Sequence, residues 1–120
     1  MYLGGDTGGM IYRELITEAR RVYVNADASS VQEHVAIQFD VTGNAHGIFY
    51  LEIAGGHVHV EPYNYYDHDA VITGSAEAIL DLLSGKESLS KILMEDRISV
   101  EGYYDKVERL NDIKLQKESR

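Results

Sequence analysis

The hydrophobic positions along this 120-residue chain change period several times, and each change marks an element boundary. From Ile11 to Tyr23 the apolar residues Ile11, Leu15, Ile16, Ala19, Val22 and Tyr23 recur at spacings of three and four, which predicts an amphipathic helix with Glu14, Glu18, Arg20 and Arg21 on its wet side. Asp27 to Ser30 interrupts that pattern, with room for a short second helical turn before Val35. The period then becomes two. Val35, Ile37, Phe39 and Val41 alternate with His34, Ala36, Gln38 and Asp40, a strand with one buried face. Thr42-Gly43-Asn44 supplies a turn, and a second strand runs from Ile48 to Ile53 with Phe49, Leu51 and Ile53 inward. Gly55-Gly56 makes a tight hairpin into a third strand, His57 to Glu61, with Val58 and Val60 inward and His57 and His59 outward.

Pro62 opens a polar aromatic loop, Tyr63-Asn64-Tyr65-Tyr66-Asp67-His68, before a short fourth strand around Ala70 to Thr73. The helical period returns after Ser75, an N-cap residue, with Ile79, Leu82 and Leu83 on one face and Gly85 as the terminating glycine. Ser88 caps a further short helix through Met94. Ile98 and Val100 form a fifth strand ended by Gly102, and Tyr103 to about Lys117 is predicted as a closing helix with Tyr103, Val107, Leu110 and Lys114 along one stripe. This order predicts an α+β fold: a five-stranded, mainly antiparallel sheet with helices over one face.

At 13.5 kDa the chain has the size of one domain, expected over residues 10–117. Residues 1–9, with four glycines, are expected to be a flexible lead-in or a cloning remnant, and residues 118–120 a C-terminal tail. Twenty Asp and Glu against eleven Lys and Arg leave a net charge of −9, which repels phosphate backbones and anionic lipid surfaces, so nucleic acid and stable membrane insertion are not expected. The absence of cysteine removes thiol chemistry and sulfur-based zinc sites. No signal peptide, transmembrane run or Ser-Lys-Leu ending is read, and the expected location is cytoplasmic.

Candidate chemistry is sparse. His57 and His59 point to one side of a strand and share a metal only if a third ligand such as His46, His68 or Asp67 joins them; otherwise they are polar residues on a solvated face. Ser88-x-x-Lys91 has the spacing of a serine nucleophile with its lysine, but the companion segments are absent, and an N-cap serine explains it. The Gly4–Gly9 run follows no strand and has no Gly-Lys-Ser/Thr ending, so it does not form a phosphate loop. Tyr63, Tyr65 and Tyr66 offer rings for a ligand or partner, or partly buried filler. Neither a metal nor another cofactor is expected. From Ile79 to Met94 eight of sixteen residues are apolar, denser than a narrow stripe requires; they form either simple core or the wall of a cavity.

Several segments together resemble the sterol carrier protein 2 (sterol-transfer) family. They are Gln38-Phe39-Asp40-Val41-Thr42-Gly43, Phe49-Tyr50-Leu51-Glu52-Ile53 with Gly55-Gly56, Asp69-Ala70-Val71-Ile72-Thr73 with Ser75, Leu82-Leu83-Ser84-Gly85-Lys86, and Ile98-Ser99-Val100-Glu101-Gly102. The resemblance runs from about Ile11 to Leu110. It implies a five-stranded sheet whose helices enclose an apolar tunnel for a fatty acid, a fatty acyl-CoA or another lipid. On that reading the protein is a non-catalytic binder, and possible transfer agent, of a hydrophobic small molecule, with a tunnel wall of Phe39, Phe49, Leu51, Ile79, Leu83, Leu93, Met94, Ile98 and Val107. The alternatives are an interaction or homodimerisation module whose cavity has collapsed, and a metal-assisted enzyme built on His57 and His59.

Overall fold

Residues 10–115 are described by a computed structural model; the expected lead-in and tail, and the end of the predicted closing helix, lie outside the described residues. The alternating segments pair in a five-stranded sheet. β1 (Val35–Thr42), β2 (Gly47–Ala54) and β3 (His57–Glu61) form the predicted antiparallel meander, with Phe39 opposite Phe49 and Leu51 opposite Val60. The 3₁₀ turn Gly43–Ala45 joins the first two strands.

The fourth strand does not extend this meander. β4 (Ala70–Ser75) pairs parallel to β1 on its other side, and β5 (Ile98–Gly102) pairs antiparallel to β4, giving the order β3-β2-β1-β4-β5. The sheet is therefore mixed. The chain between Glu61 and Ala70 must cross β2 and β1 to reach its place.

One sheet face carries Val35, Ile37, Phe39 and Val41 with Phe49, Leu51, Ile53, Val60, Ile72 and Ile98, all buried in one hydrophobic cluster. Helices supply the other half of that cluster. α1 (Tyr12–Tyr23) contributes Leu15, Ile16, Ala19 and Tyr23 from the stripe its periodicity predicts, whereas Ile11 caps the helix and is exposed and Val22 is only partly buried; α2 (Ala76–Ser84) contributes Ala78, Ile79, Leu82 and Leu83. Local signals set the limits of α2: the Ser75 hydroxyl accepts the Ala78 N–H at 3.2 Å, and Gly85 takes the left-handed conformation at φ 80°. α3 (Leu89–Met94) starts in the same way, with the Ser88 hydroxyl accepting the Lys91 N–H at 3.2 Å.

Two expectations are corrected. The segment after α1 forms two hydrogen-bonded turns, Ala26 N–H to the Tyr23 carbonyl and Val31 N–H to the Ala28 carbonyl, and no second helix. The closing helix is short: α4 covers only Tyr104–Glu108, a 3₁₀ turn covers Arg109–Asp112, and Ile113 is extended. Asn111 and Asp112 favour turns over helix interior. Lys114 then exchanges two backbone hydrogen bonds with Asp27, at 2.8 and 2.9 Å, which no continuing helix could make.

Candidate ligand-binding site

The predicted tunnel wall divides into four parts. Phe39, Phe49, Leu51, Ile79, Ile98 and Val107 are buried in the centre of the core, where the Phe39 and Phe49 rings stack with centroids 4.7 Å apart. Leu93 is half-buried against that core. Met94 is a correction: it is 86% exposed at the end of α3 and lines no interior. Helical spacing puts Leu89 and Ile92 inward on this six-residue helix and turns its last residue to solvent.

Leu83 belongs to a pocket of about 280 Å³, close to the lower limit of typical small-molecule pockets, about 300 Å³. Leu82 and Leu83 come from the end of α2, Leu89 from the start of α3, and Tyr23 from the end of α1. Leu110, Ile113 and Leu115 close it from the C-terminal segment. Gly85, Glu87, Ser88 and Asn111 give it a polar rim. Sequence periodicity placed Leu82 and Leu110 on buried stripes without connecting them, and Leu89 fell only within the dense apolar stretch from Ile79 to Met94. Ile113 and Leu115 were hidden inside the predicted helix; the turn-forming pair Asn111-Asp112 is the signal that brings them back toward α2.

The polar groups here are mostly occupied. The Tyr23 hydroxyl donates to the Leu83 carbonyl at 2.9 Å, and burial pushes its phenol well above the usual tyrosine range. The Glu87 carboxylate pairs with Lys91 Nζ at 3.3 Å, so the lysine of the Ser88-x-x-Lys91 spacing serves an ion pair and the serine serves as a cap. This pocket can bury an apolar group and present a few hydrogen-bonding atoms at its edge.

The opposite sheet face is polar and carries the crossing loop. Tyr65 N–H donates to Gln38 Oε1 at 3.2 Å, its ring meets Tyr50 edge-on at 4.9 Å, and its hydroxyl lies 3.1 Å from Glu52 Oε2. Glu52 also holds His34 Nε2 at 2.6 Å; this hydrogen bond is the main reason its carboxyl lies below the usual range, with Tyr65 adding to the effect. Tyr65 is thus a strut that holds the loop to the sheet, while Tyr63 and Tyr66 are exposed. His57 and His59 are exposed on β3, and among the described residues no group of three or more His, Asp or Glu could hold a metal ion.

The SCP-2 sterol transfer family profile matches residues 17–113, most of the chain. The chain belongs to the SCP-2 sterol transfer family. Solved structures agree on the fold. A sterol carrier protein-2 like-3 from Aedes aegypti superposes with a TM-score of 0.60 at 9% identity, over 83% of this chain and 92% of its own. A palmitated sterol carrier protein 2 like 2 from the same organism gives 0.56 at 17% identity, over 83% and 91%. The sec-alkylsulfatase Pisa1 from Pseudomonas sp. gives 0.66 at 13% identity over 82% of this chain, but the chain spans only 16% of that enzyme. No curated protein matches the sequence. Membership of the SCP-2 family accounts for the helices over one sheet face and supports lipid binding in general.

Proposed function

We propose that this SCP-2 domain binds a hydrophobic ligand non-covalently, with an apolar chain in the pocket between α2, the start of α3 and the Leu110–Leu115 segment. The observation that carries this reading is the convergence of Tyr23, Leu82, Leu83, Leu89, Leu110, Ile113 and Leu115 on one space of about 280 Å³. Burial there contributes about 0.8 kcal/mol for each methylene removed from water, so a chain of modest length suffices for micromolar binding. Phe39 and Phe49 are stacked and fully buried in the core, and the tunnel that the family resemblance implies would open beside them as a longer chain extends past Leu83. Carriage of the ligand through an aqueous compartment such as the cytoplasm belongs to the same proposal; among the described residues no helix is long and apolar enough to cross a membrane. A fatty acid of the kind named for the palmitated relative is one ligand to try. Native mass spectrometry of the purified protein tests the reading: a retained lipid mass, or its uptake from an added chain, is expected. Absence of both at millimolar lipid would refute it.

A second reading, an interaction or homodimerisation module, draws on Tyr63 and Tyr66, which are 63% and 92% exposed beside the anchored Tyr65. Tyrosines so presented are typical of contact surfaces. Analytical ultracentrifugation separates the two: a dimer lost on replacing both tyrosines by Ser favours this reading.

A further inference from the structure

The charges around the pocket are arranged unevenly. Among the described residues that line it, the sole ionisable groups are the Glu87 carboxylate and the occupied phenol of Tyr23; the rest are apolar or, at Ser88 and Asn111, neutral hydrogen-bonding groups. Glu87 is only 23% exposed, and it belongs to the pocket's polar rim. Nearby cations are already paired: Lys91 with the rim carboxylate of Glu87 at 3.3 Å, Arg97 with Asp81 at 2.8 Å and Arg109 with Asp112 at 2.9 Å. Lys86 lies next to the rim but its side chain is exposed and does not line the pocket.

We infer that this pocket selects single-chain amphiphiles with an uncharged, hydrogen-bonding head, such as a long-chain alcohol or amide, over chain-matched carboxylates and acyl-CoA thioesters. The inference rests on the ligand-binding reading above and names the class of head group. An anionic head at this rim loses water, meets the Glu87 carboxylate, and finds no cation among the described lining residues to offset either effect. A hydroxyl or amide instead exchanges water for the Ser88 hydroxyl, the Asn111 amide and the Glu87 oxygens, which can accept its proton. The phosphates of an acyl-CoA meet the same carboxylate and, at longer range, a protein of net charge −9.

Displacement of Nile red, a neutral apolar dye, by dodecan-1-ol, dodecanoate and dodecanoyl-CoA at pH 8 tests the selection on the intact protein. The alcohol is expected to compete about tenfold or more better than dodecanoate. Glu87→Gln removes the carboxylate and frees Lys91, so the ratio of dodecanoate to dodecanol affinity should rise several-fold. Dodecanoate binding as tightly as the alcohol would overturn the inference, as would a ratio insensitive to Glu87→Gln. Loss of dodecanoate binding in Lys86→Gln would also overturn it, by showing that a lysine captures an anionic head. If none of the three amphiphiles displaces the dye or binds directly in native mass spectra, the ligand-binding reading itself fails, an outcome distinct from wrong selectivity.

Discussion

The Tyr23 hydroxyl donates a buried hydrogen bond of 2.9 Å to the carbonyl of Leu83, tying the last turn of α1 to the last turn of α2 beside the pocket. Helix ends leave carbonyls without intrahelical partners, and here a side chain sixty residues earlier supplies one. Tyr23→Phe removes the donor and leaves a buried carbonyl unsatisfied, so unfolding free energy should fall by about 1–3 kcal/mol. The phenol's raised pKa adds a pH signature. Its stabilisation is complete below the unfolded-state value of 10.0 and is lost as pH rises toward the higher folded value. Urea melts of the natural protein should therefore lose stability above about pH 10. The phenylalanine variant should show a smaller loss over that interval.

Leu83 and Met94 should respond differently to enlargement. Leu83→Trp fills the pocket; displacing two methylenes of ligand costs about 1.6 kcal/mol, so Nile red should bind about tenfold more weakly while circular dichroism stays native. Met94→Trp, at an exposed helix end, should leave dye affinity unchanged. Equal effects of the two substitutions in a fluorescence titration would contradict this assignment of the wall.

Gly102 has φ 103°, and a Cβ there would lie 2.5 Å from the Asp69 carbonyl oxygen and 2.8 Å from the Ala70 Cα. Both contacts are with backbone, which cannot swing aside. Gly102→Ala should destabilise the protein by more than about 1 kcal/mol, combining the penalty of a left-handed alanine with displacement of β5 from β4. Differential scanning calorimetry reads this as a lower Tm.

The His34–Glu52–Tyr65 group should make the crossing loop sensitive to acid. Glu52 has a lowered folded pKa, so its contribution is present above the unfolded-state value of 4.5 and is lost as pH falls through the folded value. The group is partly exposed, and its share is below about 1 kcal/mol. Hydrogen exchange at Tyr65 N–H should quicken at pH 3 relative to pH 7 after correction for intrinsic rates. Tyr65→Phe, which keeps the ring but lacks the hydroxyl, should reduce that dependence.

His57 and His59 are exposed on the outer face of β3, so replacing both by Gln should change stability by no more than about ±0.5 kcal/mol. Equilibrium dialysis against zinc checks the remaining metal reading. Stoichiometric zinc held by the natural protein and lost in the double variant would show that the pair takes a further ligand.

The amino-acid sequence by itself determined the elements whose causes are local. Period-two alternation from Val35 to Val41 and from Ile48 to Ile53 set the inward faces, Gly55-Gly56 set the hairpin, and Ser75, Gly85 and Ser88 set helix limits through short-range hydrogen bonds and left-handed backbone. Tertiary structure decided which segments meet. Periodicity says that a face is buried without saying what covers it, so the parallel placement of β4 beside β1 and the passage of Tyr65 over Gln38 and Glu52 were not contained in the pattern. The same holds at the pocket. Met94 counts as apolar in a composition window, yet its helix ends facing water; Ile113 and Leu115 read as helix until Asp27, more than eighty positions earlier, offers Lys114 a backbone partner. Those outcomes depend on non-local contacts, whose stabilisation exists only once the chain has closed around them.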